Sequence, residues 1–205
     1  LYGPEYTNNI DIGARFSLAN ASISLTAFRI DYQDMQVGVR IDASNFQTDN
    51  AGEARAQGAE LEFTIDLGKG FNLFGGIGYI DTAFIDYQDE EQDFGGNHFP
   101  NAPRNTRNLN ISYKHPVGLF GTLSWARSDG SYTDRDNSND LKADAKDLFG
   151  LQLGYRTDSF SATLYGQNLS DKFYITDQYR NDNFGIAGVF AGDPREYGLK
   201  LSYSF

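Results

Sequence analysis

The sequence predicts an all-β chain, a segment of an antiparallel transmembrane β-barrel with about nine strands, short turns at one rim and long loops at the other. Three observations lead there. Residues 196–205 put Tyr197, Leu199, Leu201, Tyr203 and Phe205 on one face of a strand, with Glu196, Gly198, Lys200, Ser202 and Ser204 on the other. A strand of about ten residues that is apolar toward lipid, polar toward a lumen and tipped with aromatic rings is the unit of an outer-membrane barrel. The same two-residue alternation recurs in nine segments, and their connections alternate between two or three residues and about twenty.

Each element follows from this period. The first strand carries Ile10, Ile12, Ala14, Phe16 and Leu18 outward and Asp11, Gly13, Arg15 and Ser17 inward, reversing at Ala19 and Asn20. The second has Ile23, Leu25 and Ala27 outward, after which Phe28, Ile30 and Tyr32 take the other parity. That slip predicts a β-bulge, or the point where the strand leaves the bilayer. Residues 34–55 are read as a long polar excursion. The third strand has Leu61, Phe63 and Ile65 outward and an acidic inner face of Glu60, Glu62 and Asp66, then turns at Gly68, Lys69 and Gly70. Phe71, Leu73, Gly75, Ile77 and Tyr79 form the fourth strand, followed by a loop over residues 87–105 rich in Asp, Glu, Gly, Asn and Pro.

The second half repeats the plan. Leu109, Ile111 and Tyr113 lead to a turn at Pro116, Val117 and Gly118, and Leu123 and Trp125 return to a polar loop over residues 128–146. Phe149, Leu151, Leu153 and Tyr155 lead to Thr157, Asp158 and Ser159, and Phe160, Ala162 and Leu164 enter a last long segment, residues 170–195, before the terminal strand. Gly75, Gly78, Gly150 and Gly154 among the aromatics predict a strongly bent sheet. With nine strands the first and last run the same way, so closing the segment on itself needs a parallel pair, which bacterial barrels avoid. The segment is expected to be part of a larger barrel.

Composition agrees with this architecture. The mean hydropathy is −0.52, yet aromatic residues make up 15% of the chain. No run of 18 or more apolar residues occurs, and a barrel needs none because only alternate residues meet lipid. Cysteine is absent, which fits passage through an oxidising periplasm. A net charge of −11 without Lys/Arg clusters argues against a nucleic-acid partner. Residues 1–9 hold no positively charged start followed by an apolar stretch, so a signal peptide is expected either to have been removed or to lie upstream.

Several short motifs carry a resemblance. They are Pro4-Glu5 before the first strand, Tyr32-Gln33-Asp34 after the second, Gln57-Gly58-Ala59-Glu60-Leu61-Glu62 in the third, and Asn168-Leu169-Ser170-Asp171-Lys172-Phe173-Tyr174 with Asp193-Pro194-Arg195. In this order, with these loop lengths and the Tyr203-Ser204-Phe205 end, the chain resembles the C-terminal barrel region of TonB-dependent outer-membrane receptors. The resemblance implies a 22-stranded barrel closed by an N-terminal plug, of which residues 1–205 would be the last nine strands, with plug and N-terminal strands absent. It also implies energised import of a scarce nutrient at the bacterial outer membrane, most commonly a ferric siderophore, with TonB engaged through the missing N-terminal region. Gly198, Leu201, Tyr203 and Phe205 resemble the terminal signal read by the barrel-assembly machinery. An amphipathic strand alone reads the same way.

No catalytic constellation stands out, so the chain is not read as an enzyme, and neither a cofactor nor a resident metal is expected. His115 sits beside a short turn and His98 in a loop, where it reads as a ligand contact or a solvated residue. Asp134, Asp136, Ser138 and Asp140 are spaced like a calcium loop, but Asn139 replaces the required Gly and Ala145 the bidentate Glu. The run Asp89-Glu90-Glu91-Gln92-Asp93 reads as a solvated loop. Phe99, Tyr132, Arg135, Tyr179, Arg180 and Phe184 are the candidate ligand-binding residues, because Arg with aromatic rings grips anionic or catecholate groups. Packing between loops is the competing role. Glu60, Glu62, Lys200 and Arg15 are expected to line the lumen. A passive porin or adhesive barrel is the alternative function, and an outer-membrane enzyme a third that would need a Ser, His and acid set. An upstream plug with a TonB box separates the first from the second.

Overall fold

The computed structural model describes residues 2–40, 46–50, 52–88, 92–181 and 185–205. The strands are β1 (Tyr6–Ser17), β2 (Ala21–Gln33), β3 (Gln36–Arg40), β4 (Phe46–Asn50), β5 (Glu53–Gly68), β6 (Phe71–Asp86), β7 (Asn105–Lys114) and β8 (Leu119–Ser128). They continue as β9 (Ser131–Tyr132), β10 (Lys142–Ala143), β11 (Lys146–Arg156), β12 (Phe160–Gln167), β13 (Ile175–Asn181), β14 (Ile186–Ala191) and β15 (Glu196–Tyr203). Nine of them form one antiparallel sheet in the order β1-β2-β5-β6-β7-β8-β11-β12-β15. Among the described residues β1 and β15 remain as its two edges, so the sheet is an unclosed part of a barrel wall, as the strand parity predicts.

The register explains the alternation. Ile23, Leu25 and Ala27 stand opposite Phe63, Leu61 and Ala59, and Leu109 and Ile111 opposite Trp125 and Leu123. Residues directly opposed across a strand pair share a face, so one continuous apolar face runs across the sheet. It is uncovered: Ile12 is 74% exposed, Leu164 61% and Leu199 59%. An apolar face of this extent requires a non-aqueous neighbour. The other face carries Ser22, Ser24, Glu60 and Glu62 near the short turns and is referred to below as the inner face.

The predicted bulge in β2 is corrected. Register runs without a shift from Ala21 to Gln33 against β5 and from Ser22 to Gln33 against β1. The shifts lie instead at the two ends of the β5–β6 pair, between Glu53 and Ala54 and between Asp66 and Gly68. What changes in β2 is the environment of the inner face. Phe28, Ile30 and Tyr32 oppose Gly58, Ala56 and Ala54, where folded loops rather than water cover the strand. Strands β5 and β6 accordingly extend beyond the apolar stretch, starting at Glu53 and ending at Asp86.

Glycines serve cross-strand aromatic rings. A Cβ at Gly154 would lie 2.3 Å from Phe120 Cζ, and one at Gly198 2.3 Å from Tyr165 Cζ. Each ring lies flat over a neighbouring strand that only glycine leaves open.

The long connections are structured. Three hairpins, β3–β4, β9–β10 and β13–β14, grow from them. The Asn168-to-Tyr174 motif closes the last loop at its base. Buried Asn168 donates through Nδ2 to the carbonyls of Lys172 (2.9 Å) and Asp193 (3.1 Å), while its Oδ1 accepts from the Lys172 amide at 2.9 Å. Asp171 pairs with Arg195 at 3.3 Å. The two motif halves are thus a clasp joining the ends of a 28-residue excursion, residues 168–195.

Candidate ligand-binding cap

Above the inner face, the long connections fold into one cap. Its core is Ala54, Phe84, Tyr87 and Phe94, each 2% exposed or less, with Tyr32, Met35, Val37 and Phe99 packed against it. Phe84 supplies the centre, with ring centroids 5.1 Å from Tyr87 and 5.0 Å from Phe99. Aromatic pairs at these distances add to the burial energy.

Hydrogen bonds tie the connections to one another. Asn97 Nδ2 donates to the Arg135 carbonyl at 2.9 Å, and Asn137 accepts the His98 amide at 2.6 Å while donating back to the His98 carbonyl at 2.9 Å. Thr133 Oγ1 donates to the Gln178 carbonyl at 2.8 Å, and Gln178 Nε2 to the Lys142 carbonyl at 2.6 Å. The Ile175 amide donates to Asp144 Oδ2 at 2.8 Å, and Arg180 pairs with Asp140. That guanidinium, by its hydrogen bond, holds the Asp140 carboxyl below its ordinary value.

Between these connections lies a cavity of about 850 Å³. Phe99, Arg135, Tyr179 and Arg180 line it, together with Asp134, Asp136 and Asp177. Such a volume is at the upper end for a small-molecule site. Four of the six sequence candidates therefore meet at one cavity. Tyr132 stands beside it, its ring parallel to His98 at 6.4 Å and under Lys142 Nζ at 4.4 Å. Phe184 lies outside the described residues, as do Asp89, Glu90 and Glu91 of the acidic run.

Neighbours hold the two candidate arginines in position. Arg135 lies over the Phe94 ring at 4.3 Å and donates to the Tyr87 hydroxyl. His98 Nδ1 is 2.6 Å from the Thr82 carbonyl, which fixes its ring by the cap rather than leaving it solvated. Asp134 accepts the Ser138 amide at 3.0 Å, so this carboxylate organises a turn. Met35, Val37, Phe84, Gln178 and Phe190 also line the cavity and were not foreseen. One signal pointed to Phe84: an inner face turning apolar at Phe28, Ile30 and Tyr32 needs a cover. Gln178 and Phe190 sit in a hairpin without that alternation.

A nine-stranded open sheet with an uncovered apolar face, short turns on one side and a capped inner face on the other defines a segment of a transmembrane β-barrel wall. The chain belongs to the family of TonB-dependent receptor-like β-barrels, whose model matches residues 2–169. It is 25% identical over 187 residues to a probable TonB-dependent siderophore receptor, PiuA, of Acinetobacter baumannii, covering 86% of this chain and 24% of the relative. To the pesticin receptor of Yersinia pestis it is 26% identical over 216 residues, covering 98% of this chain and 29% of that protein. The chain thus spans less than a third of these relatives. The crystal structure of the ferric yersiniabactin uptake receptor FyuA from Yersinia pestis superposes with a TM-score of 0.80 at 23% identity, covering 98% of this chain and 30% of that one.

Proposed function

We propose that residues 1–205 are the C-terminal portion of the barrel of an outer-membrane receptor that imports a ferric siderophore with energy delivered by TonB. In this reading a plug and the earlier strands belong to the intact parent, and the nine strands here complete a 22-stranded wall. The cap cavity is the supporting observation. It combines Arg135 and Arg180 with the rings of Phe99 and Tyr179, a set suited to an anionic chelate through charge-assisted hydrogen bonds and stacking. Tyr132 and Phe184 are assigned to the same capture surface, and Gly198, Leu201, Tyr203 and Phe205 to recognition by the barrel-assembly machinery. The name of one relative, a probable TonB-dependent siderophore receptor, favours the same cargo class.

The test is uptake of labelled iron chelates by a strain lacking the intact parent gene, with and without the gene restored. Restored uptake of one ferric siderophore is expected. Failure to restore uptake of any iron chelate, haem, cobalamin or sugar defeats the assignment.

A further inference from the structure

We propose that Arg107 and Arg127 form a two-arginine clamp for a phosphate of an outer-leaflet lipid headgroup, on the outer face of the barrel. The inference rests on the outer-membrane reading above but concerns a surface remote from the cap cavity.

Height is set by the register. On the apolar face, Leu109, Trp125 and Phe149 form one row across β7, β8 and β11, and the next row toward the loops is Arg107, Arg127 and Asp147. On these three strands apolar side chains end there, although Ile77 of β6 stands opposite Arg107, and Trp125 turns its Nε1 to Asp147 Oδ1 at 3.0 Å. A tryptophan whose ring is in the apolar belt and whose N–H reaches a charge marks the lipid–water boundary. The two arginines stand one step above it, at headgroup depth.

Their charges are incompletely answered by protein. Arg107 and Arg127 are directly opposed, and like charges in that relation are destabilising. Arg127 Nη1 donates to Asp147 Oδ2 at 2.6 Å, while its Nε is shielded from solvent without an acceptor. A buried donor without an acceptor is costly and calls for a missing group. Among the described residues Arg107 has no carboxylate within ion-pairing distance. Outer-face arginines two or more rows nearer the loops differ. Arg29 and Arg55 share Asp31, at 2.8 and 2.7 Å, and Arg104 holds Asp81 at 2.6 Å. The next acid above the pair, Asp129, accepts from Asn105 Nδ2 at 2.7 Å.

A tetrahedral phosphate monoester fits these donors. Guanidinium groups present planar forks matched to phosphate oxygens. One phosphate between Arg107 and Arg127 removes their repulsion. A lipid carries that phosphate to this depth and keeps its chains against Trp125 and Leu109, whereas a free phosphate ion gains nothing from the apolar row.

The experiment uses the intact, detergent-purified receptor and three probes: lipid A bearing two phosphates, the same lipid with one phosphate removed, and inorganic phosphate. Binding is followed by native mass spectrometry, and the heat-modifiable gel shift reports whether the barrel is folded. Preferred binding of the two-phosphate lipid is expected, weakened roughly tenfold or more in Arg107→Gln/Arg127→Gln and reduced by salt, with ferric-siderophore uptake retained. Arg107→Gln alone, which breaks no ion pair among the described residues, is the second variant if the double one does not fold. Equal binding by wild type and variant, no preference between the two lipids, or full competition by inorganic phosphate overturns the clamp. A receptor without a heat-modifiable shift overturns the membrane reading itself, a distinct outcome.

Discussion

Along β2 and β5 the inner face has two halves. Near the short turns, Ser22 and Ser24 oppose Thr64 and Glu62, polar side chains facing open space. Toward the loops, Ile30 and Tyr32 oppose Ala56 and Ala54, and the latter is 1% exposed. Strand, parity and hydrogen-bond ladder are shared by both halves, so the difference comes from what covers them. In the lower half the wall contributes no side chain to the buried core. In the upper half it is the floor of a small hydrophobic core, to which β6 adds Phe84 opposite Ala54 and whose roof is made of Phe94 and Phe99. Side-chain parity alone therefore does not say whether a barrel position is wet.

The strongest way to break this comparison is to empty that core. Phe84→Ala is expected to cost about 3–5 kcal/mol of local cap stability, exposing the loops to protease while the heat-modifiable barrel persists. Glu62→Gln, in the lower half, is expected to stay within about 0.5 kcal/mol of wild type. Equal proteolysis of the two variants would show that the halves do not differ.

Gly198→Leu probes the sheet itself. Any Cβ there meets the Tyr165 ring, so a fall in assembled barrel is expected on gels of outer-membrane fractions. Adding Tyr165→Ala should restore much of it if the clash is the cause. No rescue would assign Gly198 to assembly recognition rather than packing.

Arg135→Ala combined with Arg180→Ala separates cap packing from ligand capture. Loss of the Arg135 contacts to Phe94 and Tyr87 is expected to lower cap stability by about 1–2 kcal/mol. Under the function proposed above, ferric-siderophore affinity should fall at least tenfold. Unchanged affinity in the intact receptor removes both residues from the binding role.

The smallest effect is a titration. Because Arg180 lowers the Asp140 carboxyl in the folded cap, its contribution is complete above the unfolded value near 3.9 and disappears as pH falls through the lower folded value. A carboxyl carbon-13 titration should give a midpoint below 3.9 that moves up in Arg180→Gln. A midpoint unaffected by that substitution would mean the pair does not persist in solution.

The sheet was legible because lipid forces a strict period: Leu199 and Leu201 alternate with Gly198 and Lys200 for a single reason, and nine segments obey it. The cap was legible only in part. Arg135 and Tyr179 were identified by chemistry, but nothing in Ile175–Asn181 announces a strand, since both its faces meet other loops. Phe28, Ile30 and Tyr32 did announce something: the slip reads as a bulge or as the point where the strand leaves the bilayer, and the unbroken register excludes only the bulge. Tyr87 and Phe94 flank the acidic run and read as loop residues, yet they are the buried support beneath Arg135.

Single-cysteine scanning of β15 in the intact receptor, reconstituted in lipid, tests the membrane-wall claim most directly, and this chain contributes no cysteine of its own. Spin labels at positions 197, 199, 201 and 203 should collide with oxygen dissolved in lipid, and those at 196, 198, 200 and 202 with a water-soluble nickel chelate. A flat profile, or one with the opposite phase, would contradict the wall described here.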